Sequence, residues 1–460
     1  MGILMKQGPL HVHFVGIGGI GMSGIARLLV EMGWRVSGSD LTDSFKTTTL
    51  AALGIDVHIG HQAQNATGAD LVVFSSAVPP ENCEVVFARQ EGIPVIARAE
   101  MLGRLMEDKY GIAVAGSHGK TTTTSMIALL LERLGCDPSV VVGGETMDIG
   151  GNCKLGKGPY LVVEADESDG SFLRLSPSLA VVTNIDADHL DHYADLEAIR
   201  AAFLEFMKKI DPSGLVVICA DDHGLTELAK EIGCKQVSYG LEQAAAWQAT
   251  GLQFHPYGSE SVVHRGHEPI GCLELQVPGK HNIANALAAL AVADELGLPI
   301  DAALIALSQF RGVHRRFEVV GESHGVLVID DYAHHPTEIR ATLAAARYLN
   351  RRVIVVFQPH RYTRLARLLE DFATCFQGSD ELIVTDVYGA GEKAIPGITG
   401  EVLTAAIRDR GCPPQVEYVP DKRDIPEVLE RTVVNGDVVL TMGAGDIRDA
   451  GEAFLDRWEG

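Results

Sequence analysis

Positive charge is scarce in this sequence: 38 lysines and arginines face 61 aspartates and glutamates, leaving a net charge of −23. A surface of that sign repels phosphodiester chains and anionic headgroups, which argues against nucleic acid or a charged membrane as partner. Long apolar runs are also missing, and no stretch approaches the ~18 residues of a membrane-spanning helix. The opening MGILMKQGPL is too short and too weakly apolar for a secretory signal. A cytoplasmic protein without membrane insertion is therefore expected. The eight cysteines are scattered, with no CxxC pair, so neither a zinc knuckle nor a disulfide framework fits. In so acidic a chain, any local gathering of arginine and histidine marks a place where an anion is held.

What is present is a globular composition, 46% apolar and 22% charged over 460 residues, long enough for several domains. Three segments alternate strand and helix patterns. The first runs from HVHFV through a glycine-rich loop, the helix GIARLLVEM and the strands RVSGSD and DLVVFSSAV, closing near Met106. The second opens with YGIAVAG, the loop SHGKTTTT and the helix SMIALLLERLG, with Gly135 as its stop. It continues through YLVVEADESD, LAVVTNIDADH and GLVVICADD, and alternation over about 235–280 predicts antiparallel strands. The third carries VLVIDDYAHH, RRVIVVFQPH, ELIVTDVYG and DVVLTMGAGD after Arg316. Such alternation predicts doubly wound, mostly parallel sheets, whose ligands gather at the carboxyl ends of strands. The chemically rich strings lie at those ends.

The sharpest of them is AGSHGKTTTT. Backbone N–H groups of a strand–loop–helix turn cradle phosphates. A lysine after the last glycine reaches the outer phosphates, and the next threonine hydroxyl can hold Mg²⁺. The strict pattern also wants glycine at position 114, where Val114 stands, so the loop is a variant. The N-terminal GIGGIGMSG matches GxGxxG through Gly16, Gly18 and Gly21, with Asp40 at the end of the next strand. This reports a diphosphate at a helix start and a carboxylate nearby. A dinucleotide or a nucleotide sugar would satisfy it equally.

Carboxylates follow. EADESDGS supplies Glu164, Asp166, Glu167 and Asp169, suited to Mg²⁺ beside a phosphate loop. TNIDADHLDHYAD supplies Asp186, Asp188, His189, Asp191 and His192. Zinc or a second Mg²⁺ would fit there, and the phosphate loop favours Mg²⁺ with His189 as a nitrogen ligand. Asp191 reads equally as a helix cap and His192 as a surface residue. PGKHNIANALAAL offers His281, Asn282 and Asn285 at a helix start, where amides could read a base edge. Cations gather in RGVHRRFE (Arg311, His314, Arg315, Arg316) and in FQPHRYTRLAR (His360, Arg361, Arg364, Arg367). The last three are spaced to share a helix face near its N-terminus, which opposes the helix dipole unless an anion binds. DDYAHHPTEI places Asp331, Tyr332, His334 and His335 before a helix-starting proline.

In this order, from His11 to about Asp446, the strings resemble the Mur ligase family of bacterial peptidoglycan synthesis. Val114 is normal for that family. The resemblance implies an α/β protein of three domains: residues 1–107 a Rossmann-like UDP-sugar-binding domain, 108–316 a central P-loop-type ATPase domain with a mostly parallel sheet, and 317–460 a C-terminal Rossmann-like amino-acid-binding domain. It implies ATP-dependent joining of an amino acid to a sugar-linked carboxylate, through an acyl phosphate and a tetrahedral intermediate. Later-acting relatives carry a carbamylated lysine beyond the histidine matched by His189, where this chain reads AAFLEF. That favours the step adding L-alanine to UDP-N-acetylmuramate. A relative adding a murein tripeptide to the same nucleotide sugar is the nearest rival. An NAD-dependent oxidoreductase, suggested by GxGxxG and Asp40 alone, leaves SHGKT, EADESD and FQPHRYTR unexplained.

Carried over to matching positions, the resemblance puts the UDP-sugar on Gly16, Gly18, Gly19, Ile20, Gly21, Met22, Ser23, Asp40, Ser75 and Ser76. It puts ATP on Gly116, Ser117, His118, Gly119, Lys120, Thr121 and Thr122, with Asn285 near adenine and Arg316 and Asp331 facing the nucleotide. Two Mg²⁺ would be held by Thr121, Glu164 and His189. Catalysis would fall to Lys120, Glu164, His189, Arg316 and His334. The amino acid would lie on Tyr332, His334, His360, Arg361 and Arg364. Closure of the third domain over the second would exclude water from the acyl phosphate, and a monomer or weak homodimer is expected.

Overall fold

The computed structural model describes residues 10–75, 77–190 and 192–458; the expectations on Ser76 and Asp191 lie outside them. Three sheets follow one another along the chain, as an α/β fold of three domains. The N-terminal sheet is parallel throughout, in the order Asp56–Ile59, Arg35–Asp40, His11–Val15, Leu71–Phe74, Val95–Ala97. Strand order reverses at His11–Val15, so the glycine loop after Val15 opens into the crevice at that switch point. The short strands Asp56–Ile59 and Val95–Ala97 and the neighbouring helices were not apparent in the sequence pattern.

The central sheet has ten strands. Its parallel middle places Tyr110–Ala115 between Leu179–Val182 and Tyr160–Glu164. The phosphate-type loop, the EADESD string and the NIDADH string therefore leave three adjacent strands at one sheet end. Trp247–His255, Gly258–Arg265 and Glu268–Leu275 close one side as an antiparallel meander, within the stretch where alternation predicted it; Lys235–Gly240, in the same stretch, is parallel to its neighbours instead. The C-terminal sheet runs Glu318–Ser323, Val326–Asp331, Val438–Met442, Val353–Phe357, Glu381–Val384, Gln415–Tyr418, parallel except for its first strand. No helix among the described residues is long and apolar enough to cross a membrane.

The two domain interfaces differ in kind. One apolar cluster runs from the N-terminal sheet (Val12, Phe14) through Met101, Leu102 and Leu105 into the central domain at Leu161, Phe172 and Phe203. The C-terminal domain keeps separate cores on the two faces of its sheet and meets the central domain mainly through polar side chains, with one aromatic stack, Phe254 on Tyr348 at 4.6 Å between ring centroids. Apolar burial is non-directional and resists opening, whereas a polar interface is readily re-solvated. The first pair of domains thus shares one core, and the third has cores of its own. Phe203, fully buried with its ring 5.2 Å from that of Phe172, tests the shared core. Phe203→Ala should cost about 3–5 kcal/mol in denaturant unfolding followed by tryptophan emission. A loss below about 1 kcal/mol would show that this cluster does not carry the joint.

Candidate active site

The strand Tyr110–Ala115 passes into the loop Gly116–Gly119 at the middle of the central sheet. Gly116 has φ +138°, and a Cβ there would stand 1.9 Å from Thr183 Oγ1. Gly119, at φ +80°, precedes the helix Lys120–Arg133. No side chain caps that helix, so its first N–H groups remain directed at the loop. Lys120 folds back inside. Its Nζ donates to Gly116 O at 2.7 Å, Ser117 O at 3.3 Å and Glu167 Oε1 at 2.9 Å. Burial alone would discharge this ammonium, but Glu167, Asp166 and Glu164 raise its pKa above the ordinary lysine value.

Thr121 Oγ1 donates to Glu164 Oε1 at 3.0 Å, and the other Glu164 oxygen accepts from Gly143 N–H at 2.8 Å. Burial pushes the Glu167 carboxyl up to about 7 against the pull of Lys120. His189, at φ +52°, brings Nε2 to 3.5 Å from Glu167 Oε1. Carboxylates and a hydroxyl are hard oxygen donors suited to Mg²⁺, and the Lys120 ammonium already stands among them as a cation. The residues present fit such an ion.

Beside the loop, a cavity of about 580 Å³ opens between the central and C-terminal sheets, within the ~300–1,000 Å³ typical of small-molecule sites. Of the residues expected from sequence, His118, Gly119, Thr121, Thr122, Asn285, Arg316 and Asp331 line it. Gly116, Ser117 and Lys120 stand to its side. Asn285 packs against the loop itself: a Cβ on Gly119 would meet its Oδ1 at 2.8 Å. Asn282 is spent on its own helix start, donating to Pro278 O at 2.7 Å. Asp331 accepts from Phe317 N–H and Ala333 N–H, both at 2.8 Å; burial pushes its carboxyl up to about 6 despite Arg316. Asn184 and Asp222, also in the wall, were not singled out in the sequence. They lie just past Leu179–Val182 and Leu215–Cys219, where ligands of parallel sheets gather. Tyr239, Phe310 and the exposed His281 also line the wall.

The C-terminal domain reaches this floor through two aspartates. Thr337 Oγ1 donates to Asp186 Oδ2 at 2.7 Å, and His118 Nε2 stands 3.1 Å from the same oxygen. Arg364 Nε and Nη2 donate to Asp188 Oδ1 at 3.2 and 2.7 Å, and Nη1 donates to His360 Nδ1 at 3.1 Å. Arg364 is therefore a buried interdomain ion pair. The expected arginine face also changes, because the helix is Tyr362–Arg367 and Arg361 precedes it at φ +67°. His334 and His360 lie 5.4 Å apart, ring to ring. Burial lowers them to about 4 and about 3, with Arg364 adding to the fall, so both imidazoles are neutral. Arg316 and Arg315 flank the Tyr332 ring at 5.3 and 5.2 Å. Glu338 caps its helix and stands 3.4 Å from Arg316 and 3.5 Å from His118.

At the N-terminal loop the helix begins at Ile20, ahead of the expected Gly24, so Ile20–Ser23 form its first turn. Gly16 has φ +82°, and Gly18 N–H donates to Asp40 Oδ2 at 2.8 Å. The Met22 side chain lies in the core, at 1% exposure. Ser23 is buried too: its N–H donates to Gly19 O and its hydroxyl to Ile20 O, leaving it nothing to offer a ligand. Gly19 and Gly21 keep the loop open, and Arg98, unremarked in the sequence, lies over Gly21, where a Cβ would meet its Nη1 at 2.8 Å. Ser75 donates its N–H to Val15 O at the same crevice. His192 is exposed, and Asp195 caps the following helix.

His118 gives the interface a pH dependence. Burial lowers its pKa, but Asp186 and Glu338 outweigh that and raise it to about 9; His335 also lies against it, ring centroids 4.9 Å apart. The folded value lies above the ordinary ~6.5. Its contribution to the folded state is therefore complete below about pH 6.5 and is lost as pH rises through about 9, and the part due to Glu338, 3.5 Å away, acts across the interface. Small-angle scattering should show the radius of gyration growing between about pH 7 and pH 10. A constant radius over that range would remove the latch.

Three family descriptions match the chain in succession: Mur ligase family, catalytic domain, over 11–110; Mur ligase middle domain over 114–293; and Mur ligase, glutamate ligase domain, over 315–445. The chain is 51% identical over 441 residues to the UDP-N-acetylmuramate–L-alanine ligase of Sorangium cellulosum, covering 95% of this chain and 94% of that protein. The crystal structure of the UDP-N-acetylmuramate–alanine ligase of Thermotoga maritima superposes with a TM-score of 0.83 at 34% identity, over 98% of this chain and 99% of that one. A murein peptide ligase from Psychrobacter arcticus superposes with a TM-score of 0.70 at 25% identity, over 98% and 99%. A phosphate-loop lysine among carboxylates, a cavity between the central and third domains and these likenesses along the whole length agree: the chain belongs to the Mur ligase family.

Proposed function

We propose that this protein joins L-alanine to the lactoyl carboxylate of UDP-N-acetylmuramate, converting ATP to ADP and phosphate, in the synthesis of a peptidoglycan precursor. One observation carries the reading beyond the likenesses. A polar chain runs from Lys120 to Glu167 (2.9 Å), Glu167 to His189 (3.5 Å), His189 to Asp188 (3.7 Å) and Asp188 to Arg364 (2.7 Å). It ties the phosphate loop to the histidine–arginine cluster of the third domain, which suits a carboxylate, a terminal phosphate and an amine meeting at one place.

The carboxylate oxygen attacks the γ-phosphorus of ATP and ADP leaves, giving an acyl phosphate. The amine of L-alanine then attacks the acyl carbon, and phosphate leaves from the tetrahedral intermediate. ATP lies in the cavity, its phosphates on the N–H groups of Gly116–Thr122 and its base toward Tyr239, His281 and Phe310. Lys120 turns to the transferring phosphoryl group, whose charge it stabilises. Thr121, Glu164 and His189 would hold Mg²⁺, two ions in all, which neutralise the phosphate oxygens when bound. Arg316 at the hinge and Asp331 in the third domain close on the nucleotide. The diphosphate of the sugar nucleotide lies over Gly16, Gly18, Gly19, Ile20 and Gly21 with Arg98 nearby, and the uridine toward Asp40 and Ser75. Tyr332, His334, His360 and Arg361 surround the amino acid. The neutral imidazoles His334 and His360 can accept hydrogen bonds from the alanine amine, whose excess proton passes to solvent, and an arginine holds its carboxylate. These substrates imply a cytoplasmic enzyme.

Phosphate release with ATP, Mg²⁺ and UDP-N-acetylmuramate, run against single amino acids and the murein tripeptide with product mass as readout, tests the assignment. L-Alanine should be the preferred acceptor. A product formed only with the tripeptide would move the protein to the rival activity. Lys120→Ala should lower turnover at least about 100-fold, and near-normal turnover would displace the ATP site. Arg361→Ala should raise the KM for L-alanine more than the KM for ATP; equal effects would put Arg361 elsewhere.

A further inference from the structure

Glu167 has no task in the reaction as written, yet it is the most confined carboxylate of the site. It is 1% exposed. Its main-chain carbonyl accepts from the Tyr193 hydroxyl at 2.8 Å and from Gly170 N–H at 2.9 Å, so the backbone that carries it is fixed from two sides. Glu164 is engaged by Thr121 and Gly143, and Asp166 by Ser168 N–H at 3.1 Å. Among the described residues, the Glu167 carboxylate meets Lys120 Nζ, at 2.8 and 2.9 Å, and His189 Nε2 at 3.5 Å. The cation a triphosphate must recruit is therefore already taken.

An incoming triphosphate faces two obstacles here. It must draw Lys120 from Glu167, and it must then sit near three carboxylates, Glu167 buried and Glu164 and Asp166 half-buried, having removed the lysine that offsets their charge. A buried charge left without a partner is strongly disfavoured. A divalent cation arriving with the nucleotide removes both obstacles, because the freed Glu167 oxygens already face the His189 imidazole across a gap wide enough for shared coordination. We propose that Glu167 is a positioning residue that couples nucleotide binding to divalent metal. It holds Lys120 in the empty site, opposes metal-free nucleotide, and turns to the cation on the His189 side when metal and nucleotide enter together. The inference rests on the ATP assignment above.

The test is calorimetric binding of ATP to the full chain, with Mg²⁺ and with chelator. Wild-type affinity should fall at least about 5-fold without metal, the lower end of ordinary coupling between two ligands. Glu167→Gln should bind metal-free ATP more tightly than wild type and shrink that ratio toward one. Glu167→Asp keeps the charge but withdraws it by one methylene. It should preserve the direction of the dependence at a reduced ratio, and it supplies the test if the glutamine variant does not fold. A merely structural Glu167 would make Glu167→Gln lose affinity equally under both conditions, and that result overturns the proposal. So does a glutamine variant with the wild-type ratio, or an aspartate variant with a larger one. Wild-type protein binding no ATP under either condition would overturn the ATP assignment, and this inference with it.

Discussion

The ammonium of Lys120 sits inside a nest of carboxylates, and the rest of the central domain is built to keep it there. Desolvation would strip its proton in an apolar pocket; Glu167, Asp166 and Glu164 prevent that. Those acids reach it because Tyr160–Glu164 pairs beside Tyr110–Ala115 in the sheet, so the loop with the lysine and the turn with the acids leave adjacent strands at one end. Gly116 and Gly119 let the chain double back closely enough for Nζ to touch its own loop carbonyls. Topology sets the meeting of the charges, and the charges set the chemistry.

The two domain interfaces around that arrangement differ in what fills them. Apolar packing from Val12 through Met101 to Phe203 welds the first two domains. The third is held by Asp186 with Thr337, by Glu338 with His118 and Arg316, by Asp188 with Arg364, and by the stacked rings of Phe254 and Tyr348. The polar contacts lie at the cavity or the histidine cluster. On the proposed reaction, closure of the third domain over them would complete the site and exclude the water that destroys an acyl phosphate.

Much of the fold was legible because local signals agreed. The GSHGKT string follows a buried strand and enters an apolar helix, and both surround it in the structure. Alternation over about 235–280 became the antiparallel meander from Trp247 to Leu275, while Lys235–Gly240 joined the parallel part of the sheet. Edge strands such as Asp56–Ile59 and Gln415–Tyr418 carry half-exposed residues and little periodicity, so nothing marked them. The helix after Gly19 starts without a capping side chain, which hid its first turn. At the candidate site, sequence named the strings but could not rank residues within them. Four acids stand in EADESD, and only the turn after Glu164 decides that Glu167 is the one driven inside. Nor could sequence pair Arg364 with Asp188, 176 positions away, or bring Arg98 over Gly21, since such meetings exist only once the sheets are assembled.

The central claim is that Lys120 and the neighbouring acids are the place where a terminal phosphate meets a sugar-linked carboxylate. A crystal structure with UDP-N-acetylmuramate and a non-hydrolysable ATP analogue tests it most directly. The account predicts the γ-phosphate within hydrogen-bonding distance of Lys120 Nζ, with the lactoyl carboxylate beside it. Two ligands in clefts that do not communicate, with Lys120 still on Glu167, would contradict it.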